Sequence, residues 1–391
     1  MAPHPSGAGI YLDASATTPP AVEVLADMAE LQARAWANPS SLHGFGLAAA
    51  EALELARWRC ADVLGCSPQE LVFTAGGTEA IHLALLGHAG TVAPGRLLIS
   101  AVEHPASEAA ASRLRHRGWQ VRRLPVDRQG RLNLEALEAA LEPPTRLVSL
   151  IWGQSEVGTI QDLERIGRLC RLAGVPLHVD AVQVVGHLPL RFAELPIDLL
   201  SLAGHKLQGP KGIGALLVRQ GIDLQPLLGG GGQEGGRRGG TEAVALAGGL
   251  ARALELAREA DGAALTRLRD GLLHDLLELN GVRLSGPDPR RHPGQRLPHH
   301  LSLLVADVDG QPLSGRALVR ELWREGYAVS SGSACSSTGS GGSAVLRAMG
   351  YDQATAASGL RLSLGPWLSP DDLSGVPAAL ERARHRLTLT P

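Results

Sequence analysis

Between residues 71 and 218 the sequence repeats one pattern, a short apolar run followed by a stretch with helical character. The runs are Leu71-Val-Phe-Thr74, Arg96-Leu-Leu-Ile-Ser100, Trp119-Gln-Val-Arg-Arg-Leu124, Arg146-Leu-Val-Ser-Leu-Ile151, Pro176-Leu-His-Val-Asp180, Asp198-Leu-Leu-Ser-Leu202 and Ile213-Gly-Ala-Leu-Leu-Val218. Runs of this length, separated by helices such as 78–86 and 134–141, suit strands buried on both faces of a mainly parallel sheet. That is an α/β architecture. A glycine-rich segment, residues 229–240, interrupts the pattern, and a long helical stretch from about 242 to 279 follows it. Beyond it, 301–305 and 361–364 read as strands, with helices at 314–326 and 370–387. A domain boundary is therefore expected near residue 255, with a smaller α/β domain behind it.

Composition removes several function classes. Lys+Arg number 37 and Asp+Glu 39, for a net charge of −2, and aromatic residues make up 3%. There is neither a basic face for nucleic acid nor a base-stacking surface in such a balance. No apolar run approaches the roughly 20 residues that span a bilayer. The opening Met-Ala-Pro-His-Pro-Ser-Gly lacks the features of a signal peptide. Cys60, Cys66, Cys170 and Cys335 are scattered without metal-binding spacing. A soluble cytoplasmic protein with reduced thiols, no membrane association and no direct nucleic-acid partner is expected.

Ligands of open α/β sheets collect at the carboxyl ends of strands, and four polar clusters fall there. Thr74-Ala-Gly-Gly-Thr-Glu79 is a glycine turn entering a helix, whose free N–H groups and dipole suit a phosphate. Read alone, it is an ordinary helix start. Glu103-His104 follows another strand, where a single histidine is most often structural or solvated. His178-Val-Asp-Ala-Val-Gln183 puts Asp180 at a strand end, a placement that helix capping would also explain. Gly204-His-Lys206 follows the next run. Together the four clusters match the needs of a pyridoxal phosphate enzyme: a Schiff-base lysine, a carboxylate for the pyridine nitrogen, a phosphate cradle and a group over the ring. Of the 37 basic residues, 35 are arginine, and Lys206 and Lys211 are the two lysines. Lys211 follows Gly209-Pro210 in a turn and is the poorer Schiff-base candidate.

Several motifs carry a resemblance to a known family. Tyr11-Leu-Asp-Ala-Ser-Ala-Thr-Thr-Pro19, Asn38-Pro-Ser-Ser41, Glu103-His104, His178-Val-Asp-Ala-Val-Gln183, Gly204-His-Lys-Leu-Gln-Gly-Pro-Lys-Gly-Ile-Gly214 and Ser330-Ser-Gly-Ser-Ala-Cys335 resemble those of the cysteine desulfurases. These are fold-type I enzymes of the class V aminotransferase family, and the likeness runs from about residue 10 to about 370. It implies a large domain, 13–255, with a mainly parallel sheet of the seven-stranded type. A smaller C-terminal α/β domain, 256–391, would carry the catalytic cysteine loop, with residues 1–12 packed on it. The implied activity is conversion of L-cysteine to L-alanine by a homodimer that passes the sulfur to an acceptor, an iron–sulfur scaffold or a tRNA-thiolation enzyme.

The resemblance also implies roles. Lys206 would form the Schiff base and move the Cα proton, Asp180 would pair with the pyridinium, Gln183 would meet the ring hydroxyl and His104 would stack on the ring and assist proton transfer. Gly77, Thr78 and His205 would hold the phosphate, and Thr241 would reach the phosphate of the partner subunit. Arg361 would clamp the substrate carboxylate through a bidentate pair, with Asn38 also at the substrate. Cys335 would be the nucleophile that accepts the sulfur as a persulfide. The other three cysteines read as packing residues.

The chain departs from the family at three places. Ser155, in Trp152-Gly-Gln-Ser-Glu-Val-Gly158, stands where an asparagine near the cofactor is usual. Ala203 replaces a serine that contacts the phosphate, and Gln233 replaces a histidine. Two other readings stand beside the first: a selenocysteine lyase or another class V enzyme, and a catalytically weak relative acting as a scaffold.

Overall fold

The apolar runs form seven strands of one sheet. A computed structural model describes residues 9–332 and 342–389 of the 391-residue chain. In chain order the strands are β1 (Ile10–Tyr11), β2 (Leu71–Thr74), β3 (Arg96–Ser100), β4 (Gln120–Leu124), β5 (Thr145–Ile151), β6 (Leu177–Asp180), β7 (Leu199–Ala203), β8 (Gly214–Val218), β9 (Val282–Leu284), β10 (His300–Val305), β11 (Tyr327–Ala328) and β12 (Gly359–Ser363). The large sheet has the order β2-β8-β7-β6-β5-β3-β4. Only β8 runs against the others.

The continuous apolar character has a direct cause, since both faces of this sheet are covered. Leu97, Ile99, Leu147, Leu199, Leu216 and Val218 point into one core, with Ala106, Ala110 and Leu114 of the helix Pro105–Arg115. Their neighbours Leu98, Val148, Leu150, Leu177, Leu200 and Leu217 point into the other, against Leu53, Leu250 and Leu254. Side chains alternate across a strand, so both parities must be apolar. At the sheet edge the constraint lapses, and β4 exposes Gln120, Arg122 and Arg123.

A separate core surrounds a three-stranded antiparallel sheet, β12-β10-β9. It gathers Leu12, Leu272, Leu301, Leu303, Leu318, Leu360 and Leu362. Here β1 pairs with β11, bringing residues 10–12 against this core.

Two expected helices are each divided. The stretch 242–279 forms Val244–Glu259 and Gly262–Leu277. Asp261 turns the chain between them, and its carboxylate accepts from the N–H groups of Ala263 (2.9 Å) and Ala264 (3.0 Å). Such capping lets a new helix begin where the old one stops. The first of these helices packs on the large sheet's core, and the second on the other core. Residues 370–387 likewise form Pro370–Ser374 and a second helix, Val376–Leu389, on either side of Gly375. A Cβ on Gly375 would lie 2.5 Å from the Tyr327 hydroxyl. Helix 134–141 is shorter than expected, Leu134–Glu138.

Candidate active site

Because β2, β3, β5, β6 and β7 run in one direction, their carboxyl ends share one edge of the sheet. Thr74, Ser100, Ile151, Asp180 and Ala203 end these strands, and the polar clusters follow directly. The turn Gly204–Lys206 after β7 presents Lys206, whose Nζ donates to the carbonyls of Ser15 (2.7 Å) and Ala16 (2.8 Å). Gln183 Nε2 donates to the same Ser15 carbonyl (2.8 Å).

Asp180 is buried, and one carboxylate oxygen accepts the Val182 N–H (3.0 Å). Burial raises its pKa, while His104 and Lys206 draw it back down. His104 caps the helix Pro105–Arg115, its Nδ1 accepting the Ala106 N–H (3.1 Å). That bond assigns the proton of the neutral ring to Nε2. Burial lowers the His104 pKa; Asp180 opposes this and Lys206 reinforces it. The mutual influence of Asp180, His104 and Lys206 puts the three within electrostatic reach of each other.

Beside them, His205 is pushed down to about 4 by burial, then by the charges of Lys206 and Lys211. Its Nδ1 meets the Thr17 hydroxyl at 3.1 Å, and its carbonyl accepts from the Thr18 N–H and hydroxyl, each at 2.9 Å. Gly77 and Thr78 open the helix Gly77–His82, with Ala203 adjoining. A Cβ on Gly77 would stand 2.8 Å from Val182 Cγ2, so the glycine lets the helix start approach the loop that carries Asp180.

Arg361 enters from β12 and is 4% exposed. Its Nη1 donates to the Ser155 carbonyl (3.0 Å) and its Nη2 to Asp13 (2.6 Å), while Nε has no acceptor among the described residues. Ser155 therefore acts here through its carbonyl, which also faces His300 Nε2 at 2.9 Å. Asn38 is exposed, its side chain accepting from Ser40 N–H (2.9 Å), and no described contact joins it to Lys206 or Arg361. Thr241 is exposed beyond the glycine-rich segment. Cys335 lies outside the described residues. Burial pushes the thiols of Cys66 and Cys170 up to about 12 and that of Cys60 higher still, so these three are protonated at neutral pH.

Three groups of residues had no assigned role in the sequence. Asp13, Ser15, Ala16, Thr17 and Thr18 contact Arg361, Lys206, Gln183 and His205; Tyr11–Pro19 had served only as a family motif. Glu103 joins two strand ends, accepting from Ser100 Oγ (2.6 Å) and Ile151 N–H (2.9 Å). Glu234 ties the glycine-rich segment down, accepting from Arg57 at 2.8 and 2.9 Å and from Phe73 N–H at 2.8 Å. Its only sequence signal was an acid inside a glycine run.

A primary amine, a buried carboxylate at the neighbouring strand end and a close-packed helix start form the donor set for pyridoxal phosphate. The buried Asp180 carboxylate suits a cationic ring nitrogen, and the neutral imidazoles of His104 and His205 remain available for hydrogen bonding or stacking. A cavity of about 1190 Å³, lined by Leu188, Leu254, Leu268 and Leu368, reaches Lys206 but not Asp180 or His104. It shares Lys206 with this donor set.

The fold and this constellation define a pyridoxal phosphate-dependent enzyme of the aminotransferase type. The model of the aminotransferase class-V family matches residues 10–376. The chain is 37% identical over 391 residues to a cysteine desulfurase IscS of Methanosarcina thermophila, covering 98% of this chain and 94% of that one. The chain belongs to the class-V aminotransferase family, among the cysteine desulfurases. A solved NifS-like protein superimposes with a TM-score of 0.87 at 33% identity, over 97% of this chain and 99% of its own. SspA in complex with cysteine matches with a TM-score of 0.80 at 32% identity, over 92% and 99%.

Proposed function

We propose that the chain converts L-cysteine to L-alanine and carries the sulfur away as a persulfide on Cys335. The observation that carries this reading is the convergence of Lys206, Asp180 and His104 at one sheet edge, with Arg361 tied to the same Asp13–Thr18 segment as Lys206. Relatives named cysteine desulfurase, and a similar structure described with cysteine, support the substrate.

Bound pyridoxal phosphate supplies an electron sink for charge developing at the substrate Cα. Lys206 would hold it covalently, Asp180 would face its ring nitrogen and Gln183 its ring hydroxyl. Gly77, Thr78 and His205 would hold the phosphate, with Thr241 reaching that of the partner subunit. Ser155 and Ala203 line the same site. Arg361 orients the α-carboxylate, with Asn38 also facing the substrate. Lys206 moves the proton at Cα, and neutral His104 offers its Nε2 proton over the ring. The Cys335 thiolate attacks the cysteine Sγ. An S–S bond forms as Cβ–Sγ breaks, and the electron pair left on Cβ takes a proton. Cysteine and the Cys335 thiol thus become alanine and a Cys335 persulfide.

A homodimer belongs to this reading. Trp36, Leu42, Phe45 and Leu47 are 63%, 91%, 65% and 57% exposed. Such a concentration of large apolar side chains marks an interaction surface. The reading also includes a large domain at 13–255 and a small domain at 256–391, supported by the two cores. Sulfur passes on to an iron–sulfur scaffold or a tRNA-thiolation enzyme in the cytoplasm. No helix among the described residues is long and apolar enough to cross a membrane.

The test is to load the protein with pyridoxal phosphate, add L-cysteine, assay alanine and mass-map the persulfide. Alanine formation and a persulfide on Cys335, both lost in Cys335→Ala, are expected. Sulfide release unaffected by Cys335→Ala would overturn the thiol mechanism and favour a lyase.

A further inference from the structure

Residues 13–18 cross from one core of the protein to the other. Leu12 packs in the core around β10, and Ala21 packs in the core of the large sheet. On the way the segment contacts both halves of the site. The Ser15 and Ala16 carbonyls hold Lys206, and Ser15 N–H donates to Ser363 Oγ (2.8 Å), two residues along β12 from Arg361. Asp13, in a bridge opposite Ser363, places its carboxylate on Arg361.

The guanidinium has five N–H donors in a rigid plane. Nη1 is engaged by the Ser155 carbonyl and Nη2 by Asp13, on a side chain that is 5% exposed. With two anchors on different nitrogens, the plane cannot turn about its long axis. Nε, on a further edge of the same plane, is buried and has no acceptor among the described residues. A buried donor of this kind calls for a partner, and an incoming carboxylate is the complementary group for that edge.

We infer that Asp13 is a positioning residue for Arg361: carried on the segment that also holds Lys206, it sets the plane and spacing of the guanidinium that receives the substrate α-carboxylate. The inference rests on the assignment of Arg361 to that carboxylate. Asp13 does not touch substrate. It neutralises part of the arginine's charge and contributes orientation in exchange. Removing it should therefore weaken recognition of a carboxylate while leaving the amine end of the site in place.

The experiment uses the enzyme loaded with pyridoxal phosphate and compares wild type, Asp13→Ala, Asp13→Asn and Arg361→Lys. KM and kcat for L-cysteine are measured, together with binding of L-alanine and of cysteamine, which lacks the carboxylate, followed by cofactor absorbance. Loss of a charge-assisted hydrogen bond corresponds to about a tenfold change. Asp13→Ala should raise KM for L-cysteine and weaken L-alanine binding about tenfold, with a smaller change in kcat and none in cysteamine binding. Asp13→Asn keeps the acceptor oxygen and should recover most of the loss. An unchanged KM in Asp13→Ala, or equal weakening of cysteamine, overturns the inference. If Arg361→Lys itself leaves KM for L-cysteine unchanged, the assignment of the arginine fails and takes the inference with it. If Arg361→Lys raises KM and Asp13→Ala does not, the inference alone fails.

Discussion

Glu103 should contribute a stability that falls as pH rises, and Glu103→Gln should remove that contribution. The carboxyl sits at the junction of β3 and β5, and burial pushes its pKa from 4.5 up to about 8, against the lowering effect of Ser100 and the Ile151 N–H. A folded-state value above the unfolded one means that the native protein binds more protons between those limits. Stability therefore declines as pH rises from about 4.5 towards 8. With about 1.4 kcal/mol per pKa unit, the decline between pH 5 and pH 7 comes to about 2.5 kcal/mol from this one group. Glutamine keeps the oxygen that accepts from Ser100 and Ile151. Its amide replaces Oε2, which has no hydrogen-bond partner among the described residues, and does not titrate. Urea unfolding of both proteins at pH 5, 6 and 7 gives the difference in free energy at each pH. The variant should gain on wild type by the same amount, about 2.5 kcal/mol, across that range. A difference constant in pH to within about 0.5 kcal/mol would refute the argument, because it would mean that Glu103 ionises alike in both states.

Three further outcomes follow from the geometry. Lys206→Arg should preserve the fold and abolish alanine formation, since guanidinium stays protonated and forms no Schiff base, while Lys211→Arg should be mild; absorbance of the bound cofactor and an alanine assay check both. Glu234→Ala removes a carboxylate that is 2% exposed, leaving Phe73 N–H without its acceptor and Arg57 with only Glu54 and the Leu71 carbonyl among its described hydrogen-bond partners. A loss of about 1–3 kcal/mol is expected by denaturant unfolding, with Glu234→Gln less severe. Gly77→Ala drives a Cβ to 2.8 Å from Val182, so a destabilisation of about 1–3 kcal/mol and weaker pyridoxal phosphate binding should appear together, read by unfolding and by cofactor titration.

Much of the architecture could be read in advance because both sides of the large sheet are buried. Leu97, Leu98 and Ile99 are all 0% exposed, so the strand shows as an unbroken apolar run rather than an alternation. The carboxyl ends of those runs then carried Asp180, His104 and Lys206, and the structure brings the three together. Helix ends were harder to locate. Ala260 and Asp261 interrupt a stretch rich in helix formers, and whether Asp261 continues a helix or caps a new one depends on which core each side can reach. The glycine between the two closing helices has a reason located 48 residues earlier, the Tyr327 hydroxyl, which leaves no room for a Cβ at Gly375.

Residue types and their order alone determined the α/β class, the lysine available for a Schiff base and the family likeness. These are local properties: burial on two faces demands apolar runs, and an amine that forms an imine must be a lysine. Only the tertiary structure decided that Asp13 meets Arg361 across 348 positions of sequence, that the Ser155 carbonyl meets Arg361 and His300, and that Glu234 closes on Arg57. Backbone carbonyls carry no residue-type signature. An ion pair between distant residues exists only once two cores have packed and set the distance between its partners.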